Sequence, residues 1–148
     1  MKTYCRLTYR IPFSETDAMG IVHHSNHARY MERGRVEFLR LVGPGYTEVV
    51  KRGFHFPLTE MKISFKQPLK FDDVILIETE VSEVSRVRLN FSYRIFTGAE
   101  LGPSSLSHEP WPGNPAVIGE TFHCCTNEEG KPVKISEDIH KAITGNEG

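Results

Sequence analysis

The run Phe13-Ser14-Glu15-Thr16-Asp17-Ala18-Met19-Gly20-Ile21-Val22-His23-His24-Ser25-Asn26-His27 gathers the residues best suited to chemistry in this chain. Asp17 stands in a loop, and the pattern after it predicts a helix starting near Ser25. The first turn of a helix offers free backbone N–H groups and a partial positive charge. A thioester carbonyl aimed there is polarised, and the oxyanion that develops on attack is stabilised. A carboxylate approaching the carbonyl from the other side can attack it or activate water. Such an acyl-transfer site uses neither a metal nor a serine triad. Taken alone, an Asp ahead of a helix is more often a turn or capping residue, so the surrounding pattern must carry the argument.

The neighbouring residues admit plainer readings. His23 and His27 could share a helix face and suggest a metal. A zinc site needs further ligands at defined spacing, however, and the Glu that follows the first His of a zincin is missing. His123-Cys124-Cys125 lies on an expected strand, whose successive side chains point to opposite faces. No metal and no cofactor is expected. Ser25 lacks the Gly-x-Ser-x-Gly elbow of a nucleophile and reads, like Asn26, as a possible helix cap. Asn26 could equally reach into the site or hold the loop. Glu15 reads as solvated. Glu32 and Glu37 lie among Arg29, Arg33, Arg35 and Arg40, where i,i+4 ion pairing is the ordinary role, with Glu32 the second candidate for acid–base work. Arg86 and Arg88 follow a polar turn, and arginine suits phosphate by charge and by its paired donors.

The elements that must position these groups are legible in the periodicity. Leu7, Tyr9, Ile11 and Phe13 alternate with polar residues as in a half-buried strand. Ala28, Met31, Arg35, Phe38 and Val42 fall at helical spacing, predicting a helix from 25 to 42 that Gly43-Pro44-Gly45 stops. Gly34 inside it costs about 1 kcal/mol of helix propensity relative to Ala, which suggests close approach of a strand. A short helix is expected over 46–52. Strands are expected at 58–67, 74–84, 87–95 and 116–125, and a terminal helix at 136–143. Residues 97–115, rich in Gly, Pro and Ser with a lone Trp111, read as a long loop of the kind that tends to be functional or mobile. The order strand, long helix, strands predicts an α+β fold in which one helix is wrapped by a mostly antiparallel sheet. A sheet of that kind has open edges that invite pairing with a second copy.

The totals limit the alternatives. The chain has 148 residues, the size of a single domain, with 39% hydrophobic and 25% charged residues and a net charge of -1. It lacks the basic excess of a nucleic-acid-binding domain. No apolar run approaches the roughly 20 residues needed to span a bilayer, and the N-terminus has no signal-peptide core, so a cytoplasmic location is expected. Three cysteines, two of them adjacent, do not make a disulfide framework.

The stretch Asp17-Ala18-Met19-Gly20-Ile21-Val22, followed by His24-Ser25-Asn26 and by Tyr30-Met31-Glu32-Arg33-Gly34-Arg35-Val36-Glu37-Phe38-Leu39-Arg40, resembles the 4-hydroxybenzoyl-CoA thioesterase family, in its branch of small bacterial acyl-CoA thioesterases. Phe71-Asp72-Asp73 and Leu89-Asn90-Phe91-Ser92-Tyr93-Arg94-Ile95 extend the resemblance to about residue 96. It implies a hot-dog fold, a long helix wrapped by a five-stranded antiparallel sheet. It implies homodimers or homotetramers with active sites at the subunit interface. By the same resemblance, Asp17 is the catalytic aspartate, as nucleophile or general base, and the backbone N–H of His24 polarises the thioester carbonyl of an acyl-CoA. His23, Ser25, Asn26 and His27 border the substrate, and Arg86 and Arg88 meet the CoA phosphates. An acyl carrier protein as donor, a sensor that binds acyl-CoA without turnover, and a dehydratase of the same fold are the competing expectations. The sequence departs from the family pattern at 97–115, longer than a simple turn.

Overall fold

The apolar stripe of the long helix determines how the rest of the chain packs. In a computed structural model that describes residues 2–144, Ser25–Val42 form helix α1 and bury Tyr30, Met31, Gly34, Phe38 and Leu39 against the sheet. Five long or medium strands surround it in chain order with one short one: β1 (Tyr4–Arg10), β2 (Leu58–Phe65), β3 (Val74–Val84), β4 (Arg88–Phe96), β5 (Ser105–Ser107) and β6 (Val117–Cys124). Short helices α2 (Tyr46–Lys51) and α3 (Glu137–Thr144) and a single 3-10 turn at Phe13–Glu15 complete the elements. The sheet order is β2-β6-β4-β3-β1-β5, and every neighbouring pair is antiparallel. Among the described residues no helix is long and apolar enough to cross a membrane.

Period-two alternation sorts the strands by face. Ile75, Ile77 and Thr79 of β3 and Leu89, Phe91, Tyr93 and Ile95 of β4 are buried, with Ile77 and Thr79 directly under α1. Gly34 shows why the propensity cost is tolerated: a Cβ there would overlap the Thr79 hydroxyl and press on Ile77. Gly119 of β6 makes the same allowance for Met31. Helix and sheet thus approach at two points where only glycine fits, and α1 is locked in register over the sheet.

The sheet has six strands where five were expected. The sixth arises in the 97–115 excursion, which is not a free loop. Ser105–Ser107 pairs with Tyr4–Arg6 at the β1 edge. Farther on, the excursion crosses the face of the sheet away from α1. There the Trp111 N–H donates to Glu78 Oε2 at 2.5 Å and Arg94 donates to the Trp111 carbonyl at 3.1 Å. Glu78 is 2% exposed and also accepts from Arg94 Nε at 2.8 Å, so a charge that would be costly to bury alone is paired and hydrogen-bonded. The Arg6 guanidinium lies over the Trp111 ring. The consequence is an asymmetry of edges: β5 covers β1, while β2 at the other end is largely exposed along its length.

Candidate active site

Asp17 sits at the tip of a small hairpin that the flanking backbone builds. Thr16 bridges Val22, Asp17 N–H donates to Ile21 O at 2.8 Å, and His23 N–H donates to Glu15 O at 3.0 Å. Gly20, at φ 76, closes the turn in the left-handed region that favours glycine. The Asp17 side chain joins this turn through one oxygen: Oδ1 accepts from Met19 N–H at 2.8 Å and from Ile21 N–H at 3.1 Å. That fixes the plane of an exposed carboxylate and leaves Oδ2 directed away from these bonds.

The hairpin delivers the chain straight into α1. His24 precedes the first helical residue with φ -57 and ψ -23, and no side chain caps the helix. The expected cap by Ser25 or Asn26 is therefore absent. Ser25 Oγ pairs with His23 Nδ1 at 2.8 Å, and Asn26 turns back so that its Nδ2 donates to Glu15 O at 3.0 Å and to His23 O at 3.3 Å. Val22, His23, Asn26 and His27 all spend their backbone N–H groups on carbonyls, and Ser25 N–H reaches the His23 ring. Among the described residues no acceptor meets the His24 N–H. A carboxylate with one free oxygen and an unspent helix-entry amide therefore belong to one hairpin-to-helix unit.

Glu15 is not solvated as expected. Tyr9 OH donates to its Oε2 at 2.7 Å and Tyr30 OH to its Oε1 at 2.5 Å. Nothing in the local sequence signals this, because the donors come from β1 and from the second turn of α1. Only the coincidence of a tyrosine on each inward face could have hinted at it.

The histidines do not converge. Among the described residues no three His, Cys, Asp or Glu side chains gather as a metal cluster would require. His23 and His24 are exposed, with their rings 4.3 Å apart, whereas His27 is buried, its Nδ1–H donating to His24 O at 3.1 Å and its ring edge-on to Phe65. His123 is buried as well. Its Nδ1–H donates to Phe56 O at 2.9 Å, leaving Nε2 to accept from Thr121 Oγ1 at 2.9 Å. It lines a cavity of about 90 Å³ together with Glu32, Arg35, Leu39, Tyr46 and Phe56. With both ring nitrogens engaged, His123 does not form an acid–base pair with Glu32.

Burial pushes both His27 and His123 below the ordinary imidazole pKa, because the charged ring loses water. The sign of the linkage follows. Unfolded histidines take up a proton near pH 6.5, at about their reference value, while these two in the folded chain resist until lower pH. Their neutral forms stabilise the fold fully above that pH, and stability falls as the pH drops toward the folded values. The expected result is a melting temperature that declines on acidification from pH 7.5 to 5, with a smaller decline in His123→Gln. Identical pH dependence in the variant and the wild type would exclude His123 as a source.

Arg86 and Arg88 lie far from Asp17 in the same chain. The Asp17 hairpin abuts Lys70 and Phe71, just before β3, whereas the arginines sit at and after the turn that follows Val84. The length of β3 separates them by on the order of 30 Å at the usual rise per strand residue. Arg86 shares an open cleft with Lys134, His140 and Lys141, with Glu137 on its rim.

Comparison with known proteins shows the family and the fold. Residues 11–143 match the model of the thioesterase-like superfamily. The chain belongs to that superfamily. It aligns at 44% identity over 87 residues with a provisionally named esterase of Aquifex aeolicus, covering 59% of this chain and 68% of that one. An acyl-CoA thioesterase of Haemophilus influenzae is 32% identical over 87 residues, covering 58% of this chain and 64% of its own. The crystal structure of an Aquifex aeolicus protein of unassigned function superposes with TM-score 0.79 at 33% identity over 93% of this chain and 98% of that chain. The helix wrapped by an antiparallel sheet is thus the hot-dog fold of this superfamily, here with a sixth strand.

Proposed function

We propose that this thioesterase-like protein hydrolyses acyl-CoA thioesters to a carboxylic acid and free CoA at a site built on Asp17 and the His24 amide. The observation that carries the reading is the pairing in one hairpin-to-helix unit of a carboxylate with a free oxygen and a helix-entry N–H with no acceptor among the described residues. The carbonyl oxygen of the thioester accepts from His24 N–H, where the helix dipole adds to the polarisation. Asp17 Oδ2 then attacks the carbonyl carbon, giving an anhydride that water cleaves, or takes a proton from the attacking water. In the general-base route Asp17 passes the water's proton to the departing CoA thiolate. In the anhydride route the thiolate leaves first and takes its proton from solvent, and water then cleaves the anhydride to the acid and the restored Asp17 carboxylate. His23, Ser25, Asn26 and His27 border this carbonyl site, exposed His23 and Ser25 at its mouth, Asn26 by holding the loop and buried His27 through its bond to the His24 carbonyl.

The same reading calls for two subunits. The β2 edge is open and carries exposed Leu58, Met61 and Phe65, the last 55% exposed, while β5 occupies the opposite edge. Exposed apolar groups on an unpaired strand are what a second copy would cover. The Phe65 end of β2 lies toward the Asp17 hairpin, and the Leu58 end lies toward Arg88, through the register with β6. Antiparallel self-pairing of β2 about a two-fold axis brings the arginine end of one subunit to the Asp17 end of the other. Arg86 and Arg88, with the cleft cations beside Arg86, then meet the CoA phosphates of a thioester held at the first subunit's Asp17.

The test is thiol release from a panel of CoA esters with short, long, branched and aromatic acyl groups, with an acyl carrier protein thioester run beside them. Release from at least one CoA ester, with saturation, is the expected result. Binding across the panel without thiol release would replace hydrolysis with acyl-CoA sensing, and release from the carrier protein alone would reassign the donor.

A further inference from the structure

Asp17 and the His24 amide stand at the tip and at the exit of one hairpin-to-helix unit, and catalysis as proposed needs them in fixed relation. We propose that Glu15 is the positioning residue that holds the Asp17 carboxylate against the His24 amide. This rests on the reading of Asp17 and His24 above.

Glu15 collects four donors from three parts of the fold. Its carboxylate takes the hydroxyls of Tyr9 on β1 and Tyr30 on α1, at 2.7 and 2.5 Å. Its backbone oxygen takes His23 N–H and Asn26 Nδ2, both at 3.0 Å. One residue therefore ties the strand before the hairpin, the hairpin's returning arm and the first two turns of α1 to a single point. Asp17 lies two positions beyond that point and His24 one position beyond the paired His23. Any shift of Glu15 moves both reacting groups relative to each other.

The environment fits a fixed anchor rather than a second base. Both carboxylate oxygens of Glu15 are already hydrogen-bonded by phenols, and Tyr30 is 1% exposed. Burial first, and the Glu15 hydrogen bond second, push the Tyr9 and Tyr30 hydroxyls above the ordinary phenol pKa, so both remain donors at neutral pH. Arg33 lies 4.3 Å from the centre of the Tyr9 ring and offsets the negative charge. Hydrogen bonds to a carboxylate are the stronger kind, and these two, with the two to the backbone oxygen, leave little freedom at the hairpin base.

The experiment compares Glu15→Ala, Glu15→Gln and the double variant Tyr9→Phe/Tyr30→Phe on whichever CoA ester the wild type hydrolyses. A displacement of about 1 Å at a reacting group costs about 100-fold in rate. Glu15→Ala is therefore expected to lose kcat by about that factor with KM nearly unchanged. Glu15→Gln, whose amide oxygen can still accept from one tyrosine, is expected to recover most of the loss. The tyrosine pair removes only two hydroxyls and should reproduce the kcat loss even where Glu15→Ala fails to fold. Glu15→Ala or the tyrosine pair with wild-type kcat would overturn the proposal. So would a loss seen in KM alone, or a loss matched by the fraction unfolded on a melting curve. Failure of the parent reading looks different: it shows as an active Asp17→Asn, whatever Glu15 does.

Discussion

Asp17→Asn should fold as the wild type does and hydrolyse acyl-CoA about 1,000-fold more slowly, within the range that a general base supplies. The isosteric amide keeps the turn intact. Its oxygen can still accept from Met19 and Ile21 N–H, which are the bonds that hold the tip of the hairpin. What disappears is the anionic second oxygen. Activity should therefore fall without a matching fall in melting temperature. The companion change is at His24, where the proposed donor is backbone. His24→Ala should be nearly neutral. His24→Pro should lose about 100-fold or more, the scale of removing one oxyanion donor, since proline deletes the N–H while its φ near -65° suits a helix start and His24 already sits at φ -57. Thiol release under single-turnover conditions measures both. An Asp17→Asn protein with wild-type turnover would remove the carboxylate from the mechanism, and a fully active, folded His24→Pro would remove the amide.

Much of this geometry was readable before any coordinates, and the reasons differ from element to element. Helix α1 was legible at both ends because Met31 and Phe38 repeat at its period and Gly43 stops it. Gly34 correctly signalled a close strand, since only a packing gain offsets its propensity cost. Strand β4 was legible from the alternation of Leu89, Phe91, Tyr93 and Ile95, and β3 from its apolar, β-branched run, which is buried on both faces from Ile75 to Thr79. The short strand Ser105–Ser107 was not, because a three-residue strand has no period to detect and draws its pairing from the β1 edge. At the proposed site, the placing of Asp17 on a loop just ahead of the α1 start near His24 was legible, as both depend on local chain direction. Glu15 was misread because its partners Tyr9 and Tyr30 meet it only through the tertiary fold. The helix cap was misread for a related reason: Asn26 spends its side chain on Glu15 O and His23 O instead. Arg86 and Arg88 are of a type suited to phosphate, but their distance from Asp17 along β3 is a property of the fold alone.

That distance leads to the most discriminating expectation. Arg86→Ala/Arg88→Ala should raise KM for the CoA ester by about 10- to 100-fold, a net loss of about 1.5–3 kcal/mol, the scale of one charge-assisted hydrogen bond to phosphate, with kcat largely kept. If those arginines serve the partner's Asp17, then Asp17→Asn and Arg86→Ala/Arg88→Ala are defects in different halves of one composite site. Co-expressed with separate tags and purified through both, the two chains form a heterodimer with one ruined site and one intact site. The intact site pairs the normal Asp17 of one chain with the normal arginines of the other. At substrate far below the raised KM, the heterodimer should show about half the wild-type activity per dimer, although each parent homodimer is nearly silent there, as two-fold symmetry requires. Arginines acting in their own chain make the opposite forecast. The normal arginines would then always accompany Asp17→Asn, the normal Asp17 would always lack its arginines, and no recovery would occur. A monomer on light scattering would defeat the version in which the arginines serve the partner's Asp17, because the open β2 edge with Leu58, Met61 and Phe65 is the surface through which the two halves must meet.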